Sequence, residues 1–427
     1  MATVAYKCPN CASALTYDGA SGKMICEACD SQFDVQAIEA MYAQEDNMGV
    51  DFNLPTESYS EQDTAQMKAY KCNSCGAELI TEGTTTATEC PYCGSPTILP
   101  DRIDGGIRPE MVVPFVITKE QAQAAFEGYF KGKKLLPNIF KKNNKIAEMR
   151  KLYVPYWLFD CDADGDVTYD AEKRRTRRNG DWEVTTTEHY VVRRSGSMHF
   201  ENIPVDGSEK MDNKITESLE PYDLEKAIPF QPTVLAGAMA DHADVDAVEC
   251  ETRAIIRVEN SIVDSLRETV KGYDYVRVRS KHITSQGSKV TPVLMPVWLI
   301  TTIKDQKTYT FAINGQTGKL TCNVPTDKGK AFLWGAGTFA GVMGIASLVL
   351  HLMQKLESGT ALIAAIVALI AALAVVGGLI SQLKQAASQR SAQGYSEGCE
   401  LKEQHDFFLY SKTTRRKIES QNKSASA

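Results

Sequence analysis

At 427 residues, 43% hydrophobic and 24% charged, the chain is long enough for two or three domains around one sizeable core. Its formal net charge is −7, and residues 1–100 carry fourteen acidic side chains against Lys7, Lys23, Lys68 and Lys71, so that region would repel a phosphate backbone. Twelve cysteines, eight of them in metal-ligand spacing, point to a reducing compartment and argue against a disulfide scaffold. The opening MATVAYKCPN has no basic segment leading into an apolar run, so no secretory leader is expected.

Four CxxC pairs come first in the chain. Cys8 and Cys11 with Cys26 and Cys29, then Cys72 and Cys75 with Cys90 and Cys93, repeat one arrangement in which fourteen residues separate the pairs. That spacing lets the chain leave on one β-hairpin, return on another and bring four thiolates around one zinc ion. Two zinc ribbons are therefore expected, at residues 1–35 and 68–100, each with a structural Zn2+. A ribbon of about thirty residues buries too little apolar surface to fold alone, and metal binding of roughly 10–16 kcal/mol supplies its stability. A closed four-cysteine site leaves no position for water or substrate, so no catalysis is assigned to it. In the second ribbon Gly76 and Gly94 follow the second cysteine of each pair, where positive φ is useful. Ala12 and Asp30 stand there in the first, which predicts a weaker first site.

Residues 36–67 read as a short helix, VQAIEAMYAQ, followed by a flexible acidic linker. Residues 108–325 form a central α+β domain with a faint internal repeat. YVPYWLFDCDADGDVTYDAEK around Pro155 and LMPVWLITTIKDQKTYTFAING around Pro296 each read as a PxWL strand, a polar turn and a second strand. Helices are expected at EQAQAAFEGYF, opened by a Thr118/Gln121 capping box, at KIAEMRKL, and most strongly at ETRAIIRVENSIVDSLRETVKG. Trp157 and Trp298 hold equivalent places and read as paired core aromatics. WEVTTTEHYVVRRSGSMHFENIPV alternates as a β-meander.

Three motifs in this domain resemble ligand sites. Asp160, Asp162, Asp164, Gly165 and Asp166 open like a calcium loop, but Ala171 stands where the closing carboxylate belongs, so a solvated acidic turn is expected. Lys173, Arg174, Arg175, Arg177 and Arg178 run into Asn179 and Gly180 as a hairpin tip, for which lipid headgroups are the preferred functional reading. Asn314 and Gly315 signal a type I′ turn, since Ile313 and Leu320 break the phosphate-loop pattern. The six histidines fall in no catalytic arrangement. Cys161, Cys250, Cys322 and Cys399 read as ordinary thiols.

Residues 331–353 and 361–380 are free of formal charge and long enough to span a bilayer core of about 30 Å, and the seven residues between them, QKLESGT, make a tight turn. A transmembrane helical hairpin over 331–380 is expected, with residues 381–427 as a cytoplasmic tail. Lys328, Lys330, Lys384 and Arg390 flank the hairpin, while the turn offers Lys355 beside Glu357, so both termini face the cytoplasm of a cell-membrane protein. Gly337, Gly341, Gly344, Ala364, Ala368 and Ala372 predict close helix packing, within the hairpin or between two chains of a homo-oligomer.

YKCPNC, CEAC, YKCNSC and CPYC, with LYVPYWLFD, ENIPVDGSEKM, LEPYDL, PVWL and FAINGQTGKL, resemble a family of bacterial, mostly Firmicutes, membrane proteins described as TFIIB-type zinc-ribbon-containing. The resemblance covers roughly residues 1 to 325 and implies the same eight cysteines as zinc ligands. It also implies a cytosol-facing adaptor whose partner is another protein, of the envelope-stress or SPFH-type scaffold class. The primosomal-helicase label that such chains carry is rejected, because no Walker A loop is present. The function expected is thus a non-enzymatic, membrane-anchored adaptor whose ribbons project on the acidic linker. A membrane-tethered nucleic-acid-binding regulator is the alternative, and an enzyme with a pocket in the central domain is the third reading.

Overall fold

The computed structural model describes residues 6–42, 52–85, 87, 89–96, 98–101, 106–138, 149–304, 307–352, 358–383 and 386–417. The fold is mixed α and β. A three-stranded sheet of β1 (Thr16–Asp18), β2 (Lys23–Ile25) and β3 (Gln32–Asp34) leads into α1 (Val35–Met41), then α2 (Glu61–Ala65). There follow β4 (Met67–Cys72), β5 (Glu78–Glu82), β6 (Ile98–Asp101), β7 (Met111–Val112) and α3 (Lys119–Phe130), the last opened by the expected Thr118/Gln121 capping box. The spine is formed by β8 (Arg150–Asn179) and β9 (Trp182–Asp206). After them come α4 (Asn213–Leu219), β10 (Ile228–Pro229), β11 (Met239–Asp241), α5 (Ala247–Glu268), β12 (Tyr275–Lys304), β13 (Lys307–Asn314) and β14 (Leu320–Cys322). Two apolar helices, α6 (Lys328–Leu352) and α7 (Ser358–Ser381), precede the last strand, β15 (Ser396–Lys417).

The large sheet runs β10-β7-β12-β8-β11-β5-β4-β6, with β13 and β14 continuing from β12, and β9 and β15 from β8. Because side chains alternate along a strand, β8 divides the core. Trp157, Phe159, Cys161, Ala163, Val167, Tyr169 and Ala171 face α5, while Leu152, Val154, Tyr156 and Leu158 face the second ribbon and α4. Covered on both sides here, the strand reads VPYWLF without polar interruption. Helix α5 starts at Asp246, whose carboxylate accepts from the Glu249 amide at 2.8 Å. Its Cys250, Ala254, Val258, Ile262 and Leu266 form one stripe along the sheet.

Several expectations are corrected. No turn interrupts β8 at Asp160–Asp166, which lies within one thirty-residue strand paired to β12 from Arg150 to Glu172. The four carboxylates therefore stand in a row about 7 Å apart, too far to share one calcium ion with bonds of about 2.3–2.6 Å. Each takes its own partner instead: Asp160 accepts from the Asn202 amide (2.6 Å), Asp162 meets His199 (2.7 Å), Asp164 meets Lys402, and Asp166 meets Arg193 (2.9 Å). The glycine of that motif serves packing: a Cβ on Gly165 would lie 2.3 Å from Ile262 Cγ2, and Gly165 pairs with Gly196 across the ladder where α5 presses on the sheet. β9 is one strand of twenty-five residues and not a meander. Arg150–Leu152 of the expected KIAEMRKL helix are strand, its first four residues lying outside the described ones.

Trp157 and Trp298 are both core residues, with indole N–H groups 3.0 Å from the carbonyls of Val245 and Ile117, yet they belong to different clusters and do not pair. The Asn314–Gly315 turn is not type I′. Asn314 Oδ1 accepts from the amides of Gln316 and Thr317, and Gly318 takes the positive φ of 76°. Asp305 and Gln306 lie outside the described residues.

The linker is docked where it is described. Phe52 stacks edge-on against Phe159, Asn53 bonds the Ser288 carbonyl, and Asp63 of α2 pairs with Arg108 at 3.0 Å. The tail is corrected more fundamentally, because residues 396–417 add a strand along β9 from Phe200 to Trp182. Before it, residues 386–395 strap the chain to the domain: Ala386 donates to Cys322, Gln389 to Glu217, Ala392 to Ser261, and Tyr395 to Glu220.

Helices α6 and α7 are long and apolar enough to cross a membrane. They are not a buried core pair, since Phe332, Leu352, Ile370 and Leu373 are all more than 60% exposed. They meet through Ala368, Ala372 and Gly335, whereas no atom stands within 4 Å of a Cβ built on Gly337, Gly341 or Gly344, so the GxxxG face points away from the hairpin partner. Lys355, Glu357 and Lys384 lie outside the described residues.

Candidate metal centres

Each CxxC pair folds as a knuckle, and the four knuckles share one pattern. The amides of Cys8, Cys26, Cys72 and Cys90 donate to the carbonyls of Ser13, Ser31, Ala77 and Ser95 at 2.7–2.9 Å. This turn forces the residue after the second cysteine into left-handed geometry: φ is 63° at Ala12, 54° at Asp30, 74° at Gly76 and 67° at Gly94. The backbone is the same in both ribbons, while the residues suited to it are present only in the second.

The eight predicted ligands form two sets, Cys8, Cys11, Cys26 and Cys29, and Cys72, Cys75, Cys90 and Cys93, in each of which all Sγ atoms lie within 4.8 Å of one another. The closest pairs are 3.6 Å (Cys8–Cys29), 3.4 Å (Cys11–Cys26), 3.7 Å (Cys72–Cys93) and 3.6 Å (Cys75–Cys90). No cysteine forms a disulfide. A tetrahedron of thiolates with metal–sulfur bonds of about 2.3 Å has edges of about 3.8 Å, so both donor sets fit a tetrahedral metal ion.

Electrostatics points the same way. Burial pushes Cys8 up to about 12 and Cys93 to about 11, and raises Cys26 and Cys90 as well. Cys29 falls to about 6 through its bond to Ser31 Oγ, and Cys11 is lowered through Ser13. Cys72 is lowered because amides of Cys75 and Ser74 outweigh its burial. Four sulfurs so close cannot all ionise without a cation between them.

The ribbons are mounted differently. The first packs Phe33, Ala37 and Ile38 onto Val191 of β9 and Leu409 of β15. The second is part of the large sheet, since β5 pairs with β11 and Tyr70, Cys72, Cys90 and Tyr92 enter the main core. Neither projects freely, contrary to expectation. Tyr92, inside the CPYC knuckle, donates to buried Asp241 at 2.5 Å, and Ser208 donates to the same oxygen. Burial raises Asp241 to about 7. Sequence reasoning missed this tie, because Asp241 lies 149 residues from Tyr92 and only the β5–β11 ladder joins them.

The basic run also gains neighbours from far along the chain. Beyond Glu172 the sheet narrows to β8, β9 and β15, a three-stranded blade. Across β9, Val184 stands between Arg177 and Arg415, Glu183 between Arg178 and Arg416, and Thr187 between Arg174 and Lys412, with Trp182 exposed at the tip. This tip lies far along the strand from the hairpin: Arg150, next to Met149 of the cluster that receives Leu379 and Ala331 of the apolar helices, and Arg178 are separated by twenty-eight residues of β8, a strand contour of about 90 Å.

Compared with known proteins, the chain is 34% identical over 357 residues to a Bacillus subtilis (strain 168) protein that carries the name "Uncharacterized protein YdjG"; the match spans 83% of the chain and 99% of the relative. No family model matches the chain, and no solved structure does.

Proposed function

Taking as premise that the chain belongs to the same family as Bacillus subtilis YdjG, we propose a membrane-anchored, cytoplasm-facing adaptor that holds two structural Zn2+ ions and binds another protein. The observation that carries this reading is the placement of the hairpin between β14 and β15 of a single sheet, so that both flanks of the apolar helices return to one body bearing both metal centres. All remaining mass then stands on one side of the bilayer. Thiolate sites belong on the reducing side, and the cations at the hairpin base, Lys328 and Lys330 joined by Lys133 and Lys134, favour the cytoplasm.

Zinc suits four thiolates in a closed tetrahedron, and with no free coordination position its role is structural. The first ribbon, seated on the sheet with Tyr17 63% exposed and its carboxylates around it, is the surface offered to a partner of the envelope-stress or SPFH-type scaffold class. Affinity purification of the full chain from membranes, beside a Cys8→Ser, Cys11→Ser variant, tests this. Partners lost with the variant while it remains folded support the reading, and an identical set of partners overturns it.

A nucleic-acid-binding regulator is favoured by one observation, the arginine blade. Its distance from the hairpin base weighs against lipid headgroups and toward a soluble polyanion. Binding of a short DNA duplex that weakens steeply with salt, and is lost in Arg177→Gln, Arg415→Gln, would establish this second reading over the first.

A further inference from the structure

At the base of the hairpin a cavity of about 640 Å3 opens between the end of α3, the β13–β14 connection and the strap that leaves α7. Its polar lining residues are Lys131, Lys133, Lys319, Tyr129, Ser218, Thr321, Ser388 and Gln389, none of them acidic. Thr321 is 3% exposed, and its hydroxyl is buried with no hydrogen-bond partner among the described residues. With three lysines and no acidic residue among those lining it, the cavity favours an anion.

The cavity sits where a bilayer would end. Lys133 donates to the carbonyl of Gln382, one residue past α7, and Ala387–Gln389 form one wall. Lys134 lies 4.1 Å over the ring of Trp334 in the second turn of α6, and Lys330 donates to the Leu136 carbonyl at 2.5 Å. We propose that this cavity binds the phosphate headgroup of an anionic phospholipid, with Lys131, Lys133 and Lys319 neutralising its charge. The inference rests on the membrane reading above.

The test uses the full chain in a neutral detergent, titrated with dihexanoyl phosphatidylglycerol, dihexanoyl phosphatidylcholine and inorganic phosphate, and read by native mass spectrometry. One phosphatidylglycerol should bind in preference to phosphatidylcholine, and each lysine replaced by Gln should lower that preference roughly fivefold. Lys131→Gln and Lys319→Gln each alter an exposed side chain and leave the fold intact. Equal binding of the two lipids overturns the proposal, as does a preference unchanged in both variants. Inorganic phosphate binding as tightly as phosphatidylglycerol overturns the lipid as the source. Alkaline carbonate extraction of the same chain from membranes separates the premises: retention without headgroup preference sinks the site alone, and release sinks the membrane reading.

Discussion

Ala12→Gly should strengthen the first metal centre. All four knuckles have the same backbone, but Ala12 holds φ at 63° with a Cβ, where Gly76 holds 74° without one. Left-handed geometry costs an alanine about 1–2 kcal/mol, and glycine gives back about 0.5–1 kcal/mol in backbone freedom lost on folding. The balance favours the variant by about 0.5–1 kcal/mol, and because ribbon folding and metal binding are one equilibrium this appears as a roughly two- to fivefold gain in affinity. Gly76→Ala should lose about as much at the second centre. Both are read by competition with a chromophoric chelator, where the parent should release two ions in two steps of different affinity, Ala12→Gly should draw the steps together and Gly76→Ala should move the tighter step. If Ala12→Gly left the weaker step in place or weakened it further, the link from φ to metal affinity would be wrong.

Gly165→Val would drive a side chain into Ile262, 2.3 Å from the added Cβ, and should lose about 1–3 kcal/mol in urea unfolding; an unchanged midpoint would mean that α5 is not held against the sheet. Asp241 titrates near 7 in the folded chain because it is buried, against about 4 when unfolded. The fold therefore holds a proton that the unfolded chain has released, and stability falls as pH rises from about 4 to 7, by up to about 4 kcal/mol, then levels off. Asp241→Asn keeps an acceptor for Tyr92 and Ser208, so its advantage over the parent should be absent at pH 4 and largest at pH 8; a constant difference would refute the assignment. Asp406→Ala removes the carboxylate 2.7 Å from Arg194, whose side chain is only 5% exposed, and should cost about 1–2 kcal/mol, measured by chemical denaturation.

What could be read in the sequence was short-range. The CxxC spacing, the Thr118 capping box and the two apolar runs each announce themselves within thirty residues, and each is present in the fold. The long strands were harder to see. Pro155, Gly165 and the aspartates of β8 are turn formers by composition, but here they are satisfied by neighbours on β9, β12 and α5 that only the assembled sheet supplies. β15 hides for another reason: an edge strand with Leu409 as its sole buried residue among the described ones has no hydrophobic alternation to detect. The lysine-lined cavity draws on four segments, the two nearest in sequence (ending at Thr321 and starting at Ala387) being 66 residues apart, so no local pattern marks it.

If the two apolar helices cross a membrane, as proposed, β15, which is translated after both of them, closes the flank of β9 only once the chain has entered the lipid and come back out. The cation of Arg194, covered in the finished molecule beside Asp406 of β15, would meet solvent in the interval. Quality-control proteases that seek frayed sheets would then find half-inserted copies and pass over completed ones, so closure of the last ladder doubles as a record that insertion succeeded.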